Sequence, residues 1–226
     1  MIIHKLILQS ANIKRLREFY TTILELPLLS ESTDHICLQV GQSQLEFRYN
    51  PDALPYHFAF NTPPNLVEET HQWLRKRVAL LLYEGNERIE FSSWQASAFY
   101  FYDPDGNIVE FIARRPLQAA LPAPFSAEKI LRISEIGAPV DSIEATFKKL
   151  HADTGVTQFS GNFELFFTAG DPEGLFILID KNKRLWFPNG DPAPAAPFIL
   201  QAEIDGTVYL LKFEAGVFSR IAETDL

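Results

Sequence analysis

Two hydrophobic periods alternate along the chain. Residues 2–9, Ile-Ile-His-Lys-Leu-Ile-Leu-Gln, read as a strand. After Asn12, a candidate N-cap, Ile13, Leu16, Phe19/Tyr20 and Ile23/Leu24 recur at helical spacing, and Pro27 closes the helix. Strands over 35–40 and 44–49 follow, joined at Gly41-Gln42-Ser43. The order then returns after Pro51–Pro55. It runs through a strand at 56–61, a helix from an Asn65 cap to Val78, and strands near 80–83, 88–91, 98–102 and 107–113. A Pro/Ala-rich linker around 117–127 precedes a third, shorter copy. That copy has a strand from Ile130 to Pro139 and a helix striped by Ile143, Phe147 and Leu150, with Asp141 and Glu144 at capping-box spacing. Its strands fall at 157–160, 163–168 and 175–180. The tail holds Arg184 to Phe187 and a hairpin over 198–213 that turns at Asp205-Gly206, with no helix for a fourth copy. A unit repeated in this way predicts an α+β fold of linked modules.

Composition narrows the function classes. The chain has 226 residues, 46% of them hydrophobic and 19 of them Phe, enough for a sizeable core. Net charge is −9, with no block of Lys or Arg, which argues against nucleic acid or an anionic membrane as partner. The lone Cys37 excludes an internal disulfide framework and fits a reducing compartment. The N-terminal stretch reads as a strand rather than a signal peptide, and no apolar run reaches membrane-spanning length. A cytoplasmic protein is the expectation.

The most informative stretch is Ala98 to Arg115. Phe99 to Tyr102 is an aromatic strand, Asp103-Pro104-Asp105-Gly106 a turn, and Asn107 to Ala113 a second strand. Ile108, Glu110 and Ile112 share one face of that strand, and Val109 and Phe111 the other. Glu110 is thus a carboxylate among buried positions, which is costly unless it is paired, protonated or bound to a metal.

Asp-Pro-Asp-Gly-Asn-x-x-Glu-Phe resembles the closing hairpin of the vicinal oxygen chelate superfamily, the glyoxalases, extradiol dioxygenases and bleomycin resistance proteins. The resemblance implies paired βαβββ modules that form a half-open barrel around one divalent metal, with ligands from the first and last strands of each module. On that pattern, modules 1–50 and 56–116 pair as one domain. Residues 128–226 are then a third, degenerate module plus a C-terminal hairpin, packing on the pair or making a homodimer contact. Three ligand positions carry usable residues: Glu46, His57 and Glu110. The fourth falls on Lys5, so the neighbouring His4 serves only if the strand bulges. Such a set suits Fe, Mn, Zn, Ni or Mg, with Glu46 or Glu110 as the base that moves a substrate proton. In the third module, Glu135 stands where His57 would match and Leu178 where Glu110 would, which argues against a second site.

Plainer readings of the same residues stay open. Glu46 could simply pair with Arg48 or Lys5, His57 could be a satisfied strand-end histidine, and Glu110 could bond a turn or an arginine. Two functions are therefore expected. One is a metal-dependent lyase, isomerase or dioxygenase acting on a small oxygenated molecule. The other is a metal-free small-molecule-binding protein of bleomycin-resistance type. Trp94 and Trp186 are candidate cavity walls.

Overall fold

The computed structural model describes residues 1–222 and Thr224. The first unit runs through β1 (Ile2–Ser10), α1 (Ile13–Glu18) with a wider helical turn to Ile23, β2 (Leu28–Glu31), β3 (His35–Val40) and β4 (Ser43–Tyr49). The second has β5 (His57–Thr62), α2 (Val67–Arg75), β6 (Ile89–Phe91), β7 (Ala96–Tyr102) and β8 (Ile108–Arg114). The third has β9 (Arg132–Val140), α3 (Ile143–Thr154), β10 (Gln158–Gly161), β11 (Phe166–Asp171) and β12 (Gly174–Asp180). The tail forms the meander β13 (Phe198–Ile204), β14 (Thr207–Glu214) and β15 (Val217–Arg220). Among the described residues, no helix is long and apolar enough to cross a membrane.

Local chemistry sets most of these boundaries. The Asn12 side chain accepts from the Arg15 amide at 3.1 Å and starts α1. Ser142, rather than Asp141, caps α3 by accepting from the Ala145 amide at 3.3 Å. Asn65 does not cap α2. Its side chain instead brackets the backbone of Leu121, donating at 2.8 Å and accepting at 3.0 Å, and so pins the Pro/Ala stretch. The turn before β8 is built on the Asp103 carboxylate. It accepts from the Asp105 and Asn107 amides at 3.0 Å each, from the Asn107 side chain at 2.7 Å and from the Tyr20 hydroxyl at 2.8 Å. Gly106 takes φ +78°, the left-handed conformation that this turn requires.

Among the described residues the strands form two curled sheets. The first has seven strands in the order β15-β14-β13-β1-β4-β3-β2, and the second has eight in the order β10-β11-β12-β9-β5-β8-β7-β6. The second sheet is a paired βαβββ half-barrel. Within each of its modules the first strand runs parallel to the last (β5 with β8, β9 with β12), and the modules meet where β5 pairs antiparallel with β9.

This corrects the expected pairing of 1–50 with 56–116. The second module pairs with the third, and the first pairs with the tail through β1 and β13. The reason lies in which first strand offers the seam. The backbone of β5 zips against β9 from Phe58↔Ile136 to Asn61↔Arg132, while β1 finds its partner in the tail. The third module is therefore half of the principal barrel.

One face of each sheet, together with the three helices, contributes to a single apolar core. It contains Leu45 and Phe47 from β4, Phe58 and Phe60 from β5, Val109 and Phe111 from β8, and Phe176 and Leu178 from β12. The opposite faces of the two sheets consequently point away from one another. On the second sheet that outer face is also largely apolar, with Ala59, Ala98, Ile108, Ile112, Leu175, Ile177 and Ile179. It is covered by the segment between β12 and β13, which brings Trp186 and Phe187 over it. Strands buried on both faces explain why β8 and β12 read as nearly unbroken apolar runs.

Candidate functional site

The covered face of the second sheet holds a cavity of about 410 Å³, within the range of small-molecule sites. Its walls are mostly aromatic: Phe91, Trp94, Tyr100, Phe166, Trp186 and Phe187. Three polar side chains converge at its base. His57 comes from the start of β5, Glu110 from β8 and Glu135 from β9, all three of them buried. His57 Nε2 lies 3.5 Å from Glu110 Oε2 and 3.9 Å from Glu135 Oε2. One ligand atom from each residue falls within 4.8 Å of the others.

Strand registers produce this meeting. Ala59 pairs with Glu110 in parallel on one side and with Glu135 in antiparallel on the other. Directly opposed residues in adjacent strands share a face, so both carboxylates emerge beside Ala59, whose small side chain leaves room. His57 lies two residues back on the same face. Gly137 completes the arrangement. A Cβ at that position would stand 2.5 Å from the Trp186 indole, so only glycine lets the ring lie here, 5.3 Å from the His57 ring between centroids.

The tautomer of His57 follows from its other nitrogen. Nδ1 lies 3.2 Å from the Ile108 carbonyl, which can only accept, so Nδ1 carries the hydrogen and donates it. Nε2 then presents a lone pair to the two carboxylates. Burial pulls the His57 pKa down to about 4, so the ring is neutral at physiological pH. Burial first, and then the Glu135 charge, push Glu110 well above the usual carboxylate range, against the Arg114 charge and a hydrogen bond with Tyr100. Burial also raises Glu135, against the pull of Arg114. The Tyr100 hydroxyl is held neutral by burial and by Glu110, so it donates.

Arg114 is the buried counter-charge. It is 1% exposed, donates through Nη2 to Glu135 Oε1, and donates through Nη1 to Asn61 Oδ1 at 2.5 Å. Glu135 thus has one oxygen committed to Arg114 and the other turned toward His57.

The donor set fits a divalent cation. An imidazole lone pair and two carboxylate oxygens face one another with no hydrogen-bond donor between them, an arrangement satisfied only by a cation or by extra protons. Metal–ligand bonds of about 2.0–2.2 Å place ligand atoms roughly 3–3.5 Å apart, the separation of His57 and Glu110, with Glu135 slightly farther from His57 at 3.9 Å. The Nδ1 bond of His57 and the Arg114 bond of Glu135 are the outer contacts that orient such ligands. One nitrogen and two carboxylates suit Mn, Fe, Zn or Mg.

The structure brings together two of the four residues singled out in the sequence. His57 and Glu110 meet. Glu46 lies on the outer face of the first sheet, ion-paired to Lys5 at 2.5 Å and to Arg48 at 2.6 Å. His4 is on that sheet too, 3.1 Å from Glu203 of β13. The bulge that His4 needed is present, since the β1–β13 register shifts between Ile3 and Lys5, yet it does not bring His4 to the site. Both residues are excluded for one reason: the two outer faces lie on opposite sides of the shared core. The residue in the third position is Glu135. Leu178 faces the core, while Ile177 and Ile179 flank the cavity. Arg114 was missed as well, although strand alternation places it on the face of Glu110, four residues on.

No family model and no curated protein matches the sequence. Solved structures do match the fold. A candidate dioxygenase from Bacillus subtilis subsp. subtilis str. 168 aligns with 93% of this chain and 69% of its own, at TM-score 0.60 and 15% identity. A glyoxalase I mutant from Zea mays aligns with 79% of this chain and 69% of its own, at TM-score 0.55 and 14% identity. The chain therefore shares the fold of these two structures, paired βαβββ modules curled into a half-barrel, as the resemblance in the Asp103–Phe111 hairpin implied.

Proposed function

We propose that the protein is a divalent-metal-dependent enzyme of glyoxalase/dioxygenase type that acts on a small oxygenated organic molecule. The observation that carries this reading is the convergence of His57 Nε2, Glu110 and Glu135 at the base of an aromatic-lined cavity. His57, Glu110 and Glu135 would hold the cation. When bound, it supplies a Lewis acid for neighbouring substrate oxygens.

The chain's own groups have separable tasks. Arg114 and Asn61 fix the direction of Glu135. Tyr100 holds Glu110 and sets the orientation of its oxygens. Glu110 is the group suited to move a proton at Oε, because its carboxylate lies at the base of the cavity and the Tyr100 hydroxyl orients it. Trp186 and Phe187 supply apolar wall on the side of the covering segment. Lyase, isomerase and dioxygenase chemistry are all compatible with this set.

One observation favours a second reading, the metal-free binding protein. Arg114 already neutralises Glu135, and burial favours a protonated Glu110, so protons alone could satisfy the cluster. Calorimetric titration of Mn, Fe, Zn and Mg salts into metal-free protein separates the two. A single stoichiometric site that releases protons on binding supports the enzyme. No binding of any of the four removes the enzyme and leaves the binding protein.

A further inference from the structure

The cavity contains a cation that the cluster does not use. Arg184 lies in the segment that covers the second sheet, and its side chain lines the cavity. Its guanidinium sits 4.8 Å above the Phe166 ring. Among the described residues it has no carboxylate partner, in contrast to Arg114, and nothing but burial shifts its pKa, downward. A guanidinium held on an aromatic wall without an anion, partly shielded from water, is placed to pair with a carboxylate.

Trp186 shares that wall. The Trp186 indole lines the cavity, is 6% exposed, and its Nε1–H is buried without a hydrogen-bond partner. Buried donors without partners are uncommon in folded proteins. A guanidinium without an anion on the wall of a cavity points to an acceptor on whatever enters it.

The rest of the wall specifies the body of the guest. Phe91 and Trp94 lie 6.0 Å apart between ring centroids, Trp94 and Phe166 6.1 Å, and Tyr83 and Phe187 4.7 Å. Rings at these separations form a lining onto which another flat ring packs. The cavity thus offers an acidic end at His57, Glu110 and Glu135, an aromatic body, and a cationic margin at Arg184.

We infer that the ligand is an aromatic carboxylate, its ring packed among Trp94, Phe166 and Phe187 and its carboxylate paired with Arg184. Guanidinium recognises a carboxylate through two parallel hydrogen bonds. The claim that the opposite end of this ligand is the one transformed rests on the metal-enzyme reading. The claim of carboxylate recognition does not.

The test is binding to metal-free protein, followed by calorimetry, of benzoate, phenylacetate and 3-phenylpropionate, each beside its amide, with acetate as the ringless control. The expected result is that at least one of these acids binds about tenfold or more tightly than its amide and than acetate. Arg184→Gln is expected to erase the preference for acid over amide while leaving amide binding within a factor of about two, and Arg184→Lys to restore part of it. Near-ultraviolet circular dichroism checks that each variant keeps the native packing. If no acid in the panel is preferred over its amide, or if Arg184→Gln leaves the preference intact, the inference is overturned. Metal uptake without acid preference sinks this inference alone. Acid preference without metal uptake sinks only the metal-enzyme reading.

Discussion

His57 of β5 and Glu135 of β9 approach to 3.9 Å across the seam between the second and third βαβββ modules. The candidate site therefore belongs to neither module alone. His57 and Glu110 are two residues of one module, and the third acceptor comes from its partner, so the seam assembles the site as it forms the barrel.

The same seam buries an ion pair. Arg114 and Glu135 are both almost fully buried, and Arg114 also holds Asn61. Removing one partner of such a pair leaves an uncompensated charge, which costs about 3–5 kcal/mol. Arg114→Met is expected to destabilise the metal-free protein by that amount in urea unfolding. Adding Glu135→Leu to Arg114→Met is expected to recover most of the loss, because the stranded charge is then gone. A double variant no more stable than the single one would show that Arg114 acts through packing.

Glu110 gives a pH dependence whose sign is fixed. Its folded-state pKa lies well above the unfolded value, so its contribution to stability is full below the unfolded pKa and is lost as pH rises through the folded one. Glu110→Gln keeps the side chain neutral at every pH. Metal-free Glu110→Gln should match the parent protein in Tm near pH 4 and exceed it by several degrees near pH 8. His57, lowered to about 4, contributes in the opposite direction, stability falling as pH drops from its unfolded value near 6.5 toward 4. That contribution is common to both proteins and largely cancels in the difference. Thermal melts across this pH range provide the check.

Glu46 should behave as a surface-pair residue. Its partners Lys5 and Arg48 have side chains 26% and 38% exposed, so they can return to water when it is removed. Glu46→Gln is expected to cost less than about 2 kcal/mol in urea unfolding, with metal affinity unchanged. A loss of metal affinity would reinstate Glu46 at the site.

The turn before β8 should be sensitive to a single methyl group. A Cβ at Gly106 would meet only open space, but the backbone there takes φ +78°, so Gly106→Ala is expected to cost roughly 1 kcal/mol from backbone strain alone. Asp103→Ala removes an acceptor used by four donors, among them Tyr20 of the first unit, and is expected to cost more, about 2–4 kcal/mol. Chemical denaturation distinguishes the two. An Asp103→Ala variant less affected than Gly106→Ala would mean that the carboxylate does not hold the turn.

The modular fold was legible because its cues are local. Alternation in the strands, the stripes of α1 and α3, and the Asp-Pro-Asp-Gly-Asn turn each depend on neighbouring residues. Strand alternation also placed Glu110 correctly, between Ile108 and Ile112 on one face. The pairing of modules was not legible, because it depends on which of three similar first strands meets which, and β1, β5 and β9 are all apolar and of suitable length. From that single ambiguity came the inclusion of Glu46 and His4 and the dismissal of Glu135. One signal was available: Glu135, like Glu110, is a carboxylate flanked by apolar strand residues, and such a residue needs a partner wherever it lies. Arg184 carried no such signal, since its cavity is closed by a segment without regular structure.

The decisive measurement is the metal content of protein purified without a nickel column, made in parallel on the parent chain, Glu110→Gln, Glu135→Gln and Glu46→Gln. The expected result is close to one divalent ion per chain in the parent and in Glu46→Gln, and loss of that ion in Glu110→Gln and Glu135→Gln. A parent chain that holds no metal even after incubation with Mn, Fe, Zn and Mg, or that keeps its metal without Glu110 and Glu135, would contradict a metal centre at the seam of the second and third modules.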